Sequence, residues 1–325
     1  MTRKTSVLFI LILSLLFTTS PTLAEKQKNF DAWLADLRTE ALAKGISRKT
    51  LDSTLSGLKP LPRVIELERS QPEFKLTVLE YLERVVPDSR VERGREAFEE
   101  NRALLTKVYE RYGVQPSVLV ALWGIETDFG RSVGGYPVID AVATLAYEGR
   151  RTSFFRQELL NALRIVDQGH ISPDKMMGSW AGAMGQVQFM PSSFQAFAVD
   201  YDGDGRVDLW NSLPDVFASA ANYLSKAGWV KDETWGWEVT LPKGFDSSSA
   251  GLDVRKSLAD WSALGVRYSK KSGDDTSLSW SVVEPEGKKG PAYLANNNYR
   301  AFLRWNRSHH FAIAAGTLSD RIAAQ

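Results

Sequence analysis

Apolar residues along this chain recur mostly three and four positions apart, the interval at which side chains share one face of an α-helix. Phe30, Trp33, Leu34 and Leu37 open the series and predict an amphipathic helix. Leu58 to Arg63, with two prolines, reads as a connector, and helix is predicted over Phe74 to Val86 and over Val91 to Tyr112. Val114 to Gly130 is the most apolar of these stretches. Pro116 suits its first turn, Val118, Leu119, Leu122 and Ile125 mark a buried face, and Gly130 offers a left-handed stop. Gly134 to Pro137 is predicted as a turn, and Ile139 to Tyr147, Ser153 to Val166 and Val216 to Lys226 as further helices. After Trp229 the texture changes. Trp235 to Leu241 and Leu278 to Val283 alternate like strands, around a short helix over Ser257 to Leu264. Tyr299 to Trp305 and Phe311 to Ile322 return to helix. The pattern predicts an α+β fold, predominantly α-helical. Its expected parts are an N-terminal helical region over 25–112, a core over 113–232, a small mixed α/β insert over 233–290, and helices over 291–325 that complete the core.

The first residues stand outside this pattern. Arg3 and Lys4 precede an apolar run from Val7 to Phe17, and Thr22-Leu23-Ala24 supplies small residues for cleavage. The run is too short to span a bilayer, so residues 1–24 are expected to be a secretory signal peptide. The mature chain would then start near Glu25 and work outside the cytoplasm. Without the two basic residues of the leader, 38 Lys and Arg face 39 Asp and Glu, a net charge of −1. That balance gives no electrostatic reason to bind nucleic acid or an anionic membrane. There is no cysteine, so stability must come from a packed core rather than disulfides, and none is available to carry a lipid. A soluble periplasmic protein without a membrane anchor is expected. With only His170, His309 and His310 present, a histidine zinc site is not expected.

Three stretches carry chemistry. Glu126 sits near the end of the apolar helix, where burial and the negative end of the helix dipole both disfavour its charged form. A carboxylic acid that keeps its proton near neutral pH suits general acid catalysis, the alternative being a solvent-facing Glu at a helix end. Gly178-Ser-Trp-Ala-Gly-Ala-Met-Gly-Gln-Val-Gln has too much glycine for a regular element and suits a sharply bent backbone. Gln186 and Gln188 would present amides there to a ligand rich in hydroxyls and acetamides; a tight structural loop is the other reading. Asp200, Asp202 and Asp204 fall at positions 1, 3 and 5 of a calcium loop, with Gly205 at 6 and the Arg206 carbonyl at 7. Position 12 is Asn211 rather than a bidentate Glu. Either the site is weak or its last ligand lies further on, with Asp215 as the candidate, and a plain Asp-Gly turn would look the same.

In order along the chain, Gly-Ile-Glu-Thr-Asp-Phe-Gly, Gly-Ser-Trp-Ala-Gly-Ala-Met-Gly-Gln, Gln-Phe-Met-Pro-Ser-Ser, the Asp-rich loop, Ala-Asn-Tyr-Leu and Arg-Trp-Asn-Arg-Ser resemble the B-type lytic murein transglycosylases. The resemblance covers most of the mature chain and implies a lysozyme-like catalytic core. It implies cleavage of the bond between N-acetylmuramic acid and N-acetylglucosamine in peptidoglycan, without water, leaving a 1,6-anhydro ring. It also implies Glu126 as the single acid/base, with Ser179, Gln188, Tyr223, Tyr81, Arg150, Arg151 and Asn306 along the sugar groove. Asp200, Asp202, Asp204, Arg206 and Asp215 match a structural Ca2+ site, and no cofactor is expected for catalysis. Some members have tyrosines where this chain has Trp305 and Phe311, which keeps the stacking surface and removes the hydroxyls. The implied partners are peptidoglycan strands and other cell-wall enzymes, with the protein itself a monomer.

Most glycosidases need two carboxylates. Asp128 is the nearest to Glu126, but residues at i and i+2 do not share a helix face. A single carboxylate suffices if it first protonates the leaving oxygen and then takes the proton from the C6 hydroxyl of the same sugar. A lysozyme-type hydrolase would need a second carboxylate, for which Asp140, Glu148 and Asp167 are the candidates. A peptidoglycan-binding module without chemistry would be expected to lack Glu126.

Overall fold

The computed structural model describes residues 23–70, 76–269 and 279–324. The leader expected over 1–24 therefore lies almost wholly outside the described residues. The chain divides into two compact units, Met1–Lys44 and Gly45–Gln325. The first holds helix α1 (Leu23–Ala43), on which Phe30 and Trp33 stack at 5.6 Å, one turn apart as their spacing predicts. The boundary expected at residue 112 is not a break, because residues 45–112 belong to the same unit as the core.

In that unit, α2 (Arg48–Leu55), α3 (Pro62–Arg69), α4 (Val78–Val85), α5 (Asp88–Glu100) and α6 (Arg102–Tyr112) precede α7 (Pro116–Thr127). α2 stops at Leu55, and Pro62 stands in the first turn of α3, so the expected connector runs directly into that helix. The single helix expected over 91–112 is two. Asn101 leaves helical geometry at φ −107°, and Gly113, at φ 72°, then closes α6 with a left-handed cap. α7 is buried nearly all round and packs against α5, α6 and α14 (His309–Ala323), with α11 (Leu213–Lys226) alongside. A helix without a polar face needs neighbours on every side, and this one is the centre of the core.

α8 (Val138–Glu148) pairs with α9 (Thr152–Asp167), and α9 with α10 (Pro191–Phe197), a helix not expected from the sequence. The expected turn at 134–137 carries a two-residue strand, β1 (Tyr136–Pro137), antiparallel to β2 (Met177–Gly178). The insert is a three-stranded antiparallel sheet in the order β3 (Gly236–Val239), β5 (Ala292–Ala295), β4 (Ser281–Val283), with α12 (Leu258–Ala263) packed on it. Trp237, Trp261, Trp280, Val282 and Leu294 form its own small core. β5 was not expected. All four of its residues are buried, so it lacks the alternation that marks β3. It also lies beyond the boundary expected at 290, and the sheet needs it as the central strand. α13 (Asn297–Trp305) follows at once, capped by Asn296, whose side chain accepts from the N–H groups of Asn298 and Tyr299. Among the described residues no helix is long and apolar enough to cross a membrane.

Candidate active site

Glu126 is the second-last residue of α7. The helix stops sooner than Gly130, because Asp128 and Phe129 already take left-handed backbone (φ 51° and 61°) before Gly130 (φ 78°). Two non-glycine residues in that region are costly unless held from outside, and here both are held. Arg93 donates to the Asp128 carboxylate at 2.7 Å, with Arg90 at 3.7 Å and Arg131 at 3.8 Å. The Phe129 ring meets Trp123 edge-on at 5.6 Å and fills the space over Gly124, where a Cβ would lie 2.7 Å from the ring. Burial works to raise the Asp128 carboxyl, but the hydrogen bond and charge of Arg93, with Arg90 and Arg131, bring it below its usual range. It therefore stays ionised and occupied with arginines.

The glycine-rich stretch is a compact loop clasped onto this helix end. Gly178 bridges to Met184, and Met184 to Phe189. A Cβ on Gly178 would lie 2.2 Å from the carbonyl oxygen of Ala183, so the backbone's close approach requires glycine there. Gln186 does not reach toward a ligand, contrary to expectation. It is buried, its Oε1 accepts from the indole of Trp123 at 2.7 Å, and its amide donates to the carbonyl of Trp210 at 2.8 Å. Thr127 donates to the carbonyl of Gln186 at 2.7 Å and accepts from the N–H of Gly130. The paired amide groups expected there thus reduce to Gln188, at φ 50°, whose amide nitrogen donates to the carbonyls of Gly185 and Val133. The Oγ of Ser179 accepts from the N–H of Ala183 inside the same loop.

Above Glu126 lies the end of α13. The indole N–H of Trp305 donates to Glu126 Oε1 at 2.8 Å. The ring is flanked by Tyr223 of α11 at 4.9 Å and by Phe189 of the glycine-rich loop at 5.4 Å. The Tyr223 hydroxyl donates to the carbonyl of Arg304 at 2.6 Å, and the Arg304 guanidinium donates to the carbonyl of Ala227. Tyr81, Asn306, Ser308, His310, Phe311 and Leu76 line a cavity of about 370 Å³. Burial and the nearby Glu126 both push the Tyr81 hydroxyl upward, against a smaller downward pull from Arg90. Burial pushes Glu126 up to about 7, against a smaller downward pull from the Trp305 hydrogen bond. No second carboxylate among the described residues contributes to that shift. Asp167 is taken up by Ser47 and Thr50, Glu148 is exposed, and burial raises Asp140 within α8.

Of the residues expected at the groove, the structure brings Tyr81, Asn306 and Tyr223 toward Glu126 and Trp305. Arg150 instead donates to the carbonyl of Glu68, and Arg151 lies over the rings of Phe154 and Phe155. Trp305 is the site residue that the sequence reading undervalued. Its place beside Asn306 was visible, but the direction of its N–H depends on how α13 docks.

At the Asp-rich loop, the carboxylates of Asp200, Asp202 and Asp204 bring oxygen atoms within 4.8 Å of one another. Asp200 takes the N–H groups of Gly203 and Gly205, and Ser212 donates to Asp202. A convergent set of exposed hard oxygen donors fits Ca2+. Arg206 turns its guanidinium onto Asp204 at 3.1 Å. Asp215 lies next to the triad, within reach of the backbone and charge of Asp202. It is buried, and its two oxygens accept the N–H groups of Tyr201 and Asp208 at 2.7 and 2.8 Å, bracing the loop from below.

The fold and the half-buried carboxyl under an aromatic wall define a lysozyme-like enzyme of the transglycosylase class. The chain belongs to the transglycosylase SLT domain family, whose model matches residues 29–320. It is 30% identical to membrane-bound lytic murein transglycosylase B of Escherichia coli K12 over 294 residues, covering 86% of this chain and 79% of that protein. Among solved structures it is similar to SltB3 of Pseudomonas aeruginosa in complex with NAG-NAM-pentapeptide, at 43% identity and a TM-score of 0.87, covering 91% of this chain and 80% of that one. It is also similar to the Escherichia coli lytic transglycosylase Slt35 in complex with calcium, at 29% identity and a TM-score of 0.76, covering 89% and 92%.

Proposed function

We infer that this protein is a peptidoglycan lytic transglycosylase with Glu126 as its only acid/base. The observation that carries the reading is a single carboxyl near the end of apolar α7, held by the neutral Trp305 indole at 2.8 Å, in surroundings that push it up to about 7. Glu126 protonates the glycosidic oxygen between N-acetylmuramic acid and N-acetylglucosamine as the C1–O bond breaks, and the bonding pair leaves with that oxygen. Glu126, now a carboxylate, takes the proton of the muramic C6 hydroxyl as that oxygen bonds to C1. The hydroxyl is tethered to the ring it attacks, and such proximity is worth up to ~7–11 kcal/mol in well-oriented systems. Tyr81, Tyr223 and Asn306 form the groove wall beside the acid, and Ser179 and Gln188 its glycine-rich floor. The complex of SltB3 with NAG-NAM-pentapeptide supports this substrate class.

The three aspartates, with the Arg206 carbonyl and Asp215 behind them, would hold Ca2+ as a structural clip. The calcium complex of Slt35 supports that assignment. The metal supplies charge neutralisation within the loop and no chemistry at Glu126. Peptidoglycan as the substrate supports a periplasmic location, for which residues 1–24 would be the export signal and 25–325 the working chain.

The test is mass spectrometry of purified peptidoglycan digested by the protein and by Glu126→Gln. Muropeptides lighter than reducing-end products by one water, and absent with the variant, are expected. Reducing ends would make the enzyme a hydrolase and reopen the search for a second carboxylate.

A further inference from the structure

The indole nitrogen of tryptophan donates a hydrogen bond and cannot accept one. Its 2.8 Å contact with Glu126 Oε1 therefore has one sense only. While it stands, Oε1 is best used as the carbonyl oxygen, the stronger acceptor of a neutral acid, which favours the proton on Oε2. The ring's orientation is set by the protein, through Tyr223, Phe189 and the bonds that anchor Arg304 on either side of α11's end. The next residue, Asn306, closes α13 with its N–H on the carbonyl of Phe302 at 2.9 Å.

We propose that Trp305 is a positioning residue that holds Glu126 Oε1 as a permanent acceptor and makes Oε2 the single oxygen that gives and regains the proton. The proposal rests on the reading of Glu126 as acid/base. In the first step the proton passes from Oε2 to the leaving oxygen as the C1–O bond breaks, and negative charge develops over the carboxylate. The Trp305 bond strengthens as that happens, because a hydrogen bond to an ionised acceptor is about twice as strong as a neutral one. In the second step Oε2 takes the proton of the attacking hydroxyl as its oxygen bonds to C1. The same oxygen is restored, and no rotation of the carboxyl separates the two halves.

The ionisable groups nearest this carboxyl and its indole include Tyr81 of α4, Arg90 and Arg93 of α5, Asp128, Tyr223 of α11, Arg304 and Arg307, and His310 of α14. None of them is altered by a change confined to the indole N–H. The decisive variant replaces the indole of Trp305 by benzothiophene, which keeps the two fused rings and carries sulfur in place of N–H. With a soluble glycan substrate we expect kcat to fall about tenfold and KM to stay within twofold, the loss of one charge-assisted bond. The alkaline limb of kcat/KM should move up by about one pH unit, since the ionised carboxyl has lost its donor. A fluorinated indole, with a stronger N–H donor, should move the limb the other way. Trp305→Phe should follow the benzothiophene protein. An isostere that leaves kcat and the limb unchanged, or raises KM alone, would make Trp305 a wall of the groove and overturn the proposal. Glu126→Gln, measured beside it, keeps the two readings apart. Full activity there would remove the acid/base assignment itself, whereas an inactive variant with an indifferent isostere would remove only the role of Trp305.

Discussion

Glu126→Gln should abolish turnover and yet make the protein more stable at alkaline pH. The carboxyl's ordinary value is 4.5, and burial in the fold raises it to about 7. Between those values the unfolded chain has released the proton while the folded chain still holds it. Folding stability therefore falls as pH rises through that window, by ~1.36 kcal/mol per unit. Below 4.5 both states are protonated and the group's contribution is constant. Above about 7 the wild-type protein has lost about 3 kcal/mol, the cost of holding a buried carboxylate. Glutamine is neutral throughout, has nearly the same shape, and keeps an oxygen for the Trp305 N–H. The two proteins should melt together at about pH 4.5, and the variant should melt roughly 6 °C higher at about pH 8, taking about 2 °C per kcal/mol for a chain of this size. Scanning calorimetry at about pH 4.5, 6 and 8 measures the difference. Every other titrating group is shared, so a difference that does not grow with pH, or a variant less stable at the alkaline end, would refute the claim that burial sets this carboxyl.

Other consequences concern the parts that hold Glu126 in place. Gln186→Ala leaves the Trp123 indole and the Trp210 carbonyl buried without partners, and should lower the free energy of unfolding by about 3 kcal/mol, read as a shift in urea midpoint at unchanged slope. Gly124→Ala pushes a methyl to 2.7 Å from the Phe129 ring and should cost about 1–3 kcal/mol despite the better helix propensity of alanine. Calcium at about a hundred times its dissociation constant should raise stability by about 2.7 kcal/mol, and Asp202→Asn should remove most of that rise in a thermal melt.

The helices were legible wherever one face is apolar and the other polar, as from Phe30 to Leu37 and over α9. Glu126 stood out because a lone carboxylate in an otherwise apolar helix is costly and conspicuous. β5 was not legible, since a strand buried on both faces shows no alternation. Gln186 and Gln188 look alike in sequence, two residues apart in one loop. Their fates diverge only because the Gln186 side chain enters the core between Trp123 and Trp210, a matter of tertiary docking. Trp305 was visible as an aromatic at the right place, but whether its N–H points at solvent, at a sugar or at Glu126 is decided by α11 and α13, which lie far apart in the chain. The identity of the acid could be read locally; what orients it could not.

The surroundings of Glu126 make sense as a response to one energetic problem. A carboxyl that is to remain protonated near neutrality must be buried, and burying it destabilises its ionised form, which the second half of the reaction nonetheless requires. A charged neighbour would stabilise that form but would also pull the value back toward the ordinary range, as the arginines do for Asp128 two residues away. A neutral donor is the compromise. Trp305 eases ionisation of Glu126 by one hydrogen bond and brings no charge, so the group stays near 7 rather than returning to 4.5. That compromise works only if the donor and acceptor cannot drift apart. The left-handed run at 128–130 fixes the helix end, Gln186 fixes the loop against it, and Tyr223 fixes the end of α13. The glycines and the buried amide that the sequence suggested were for a ligand are, in this arrangement, the means of holding one acid and one indole 2.8 Å apart.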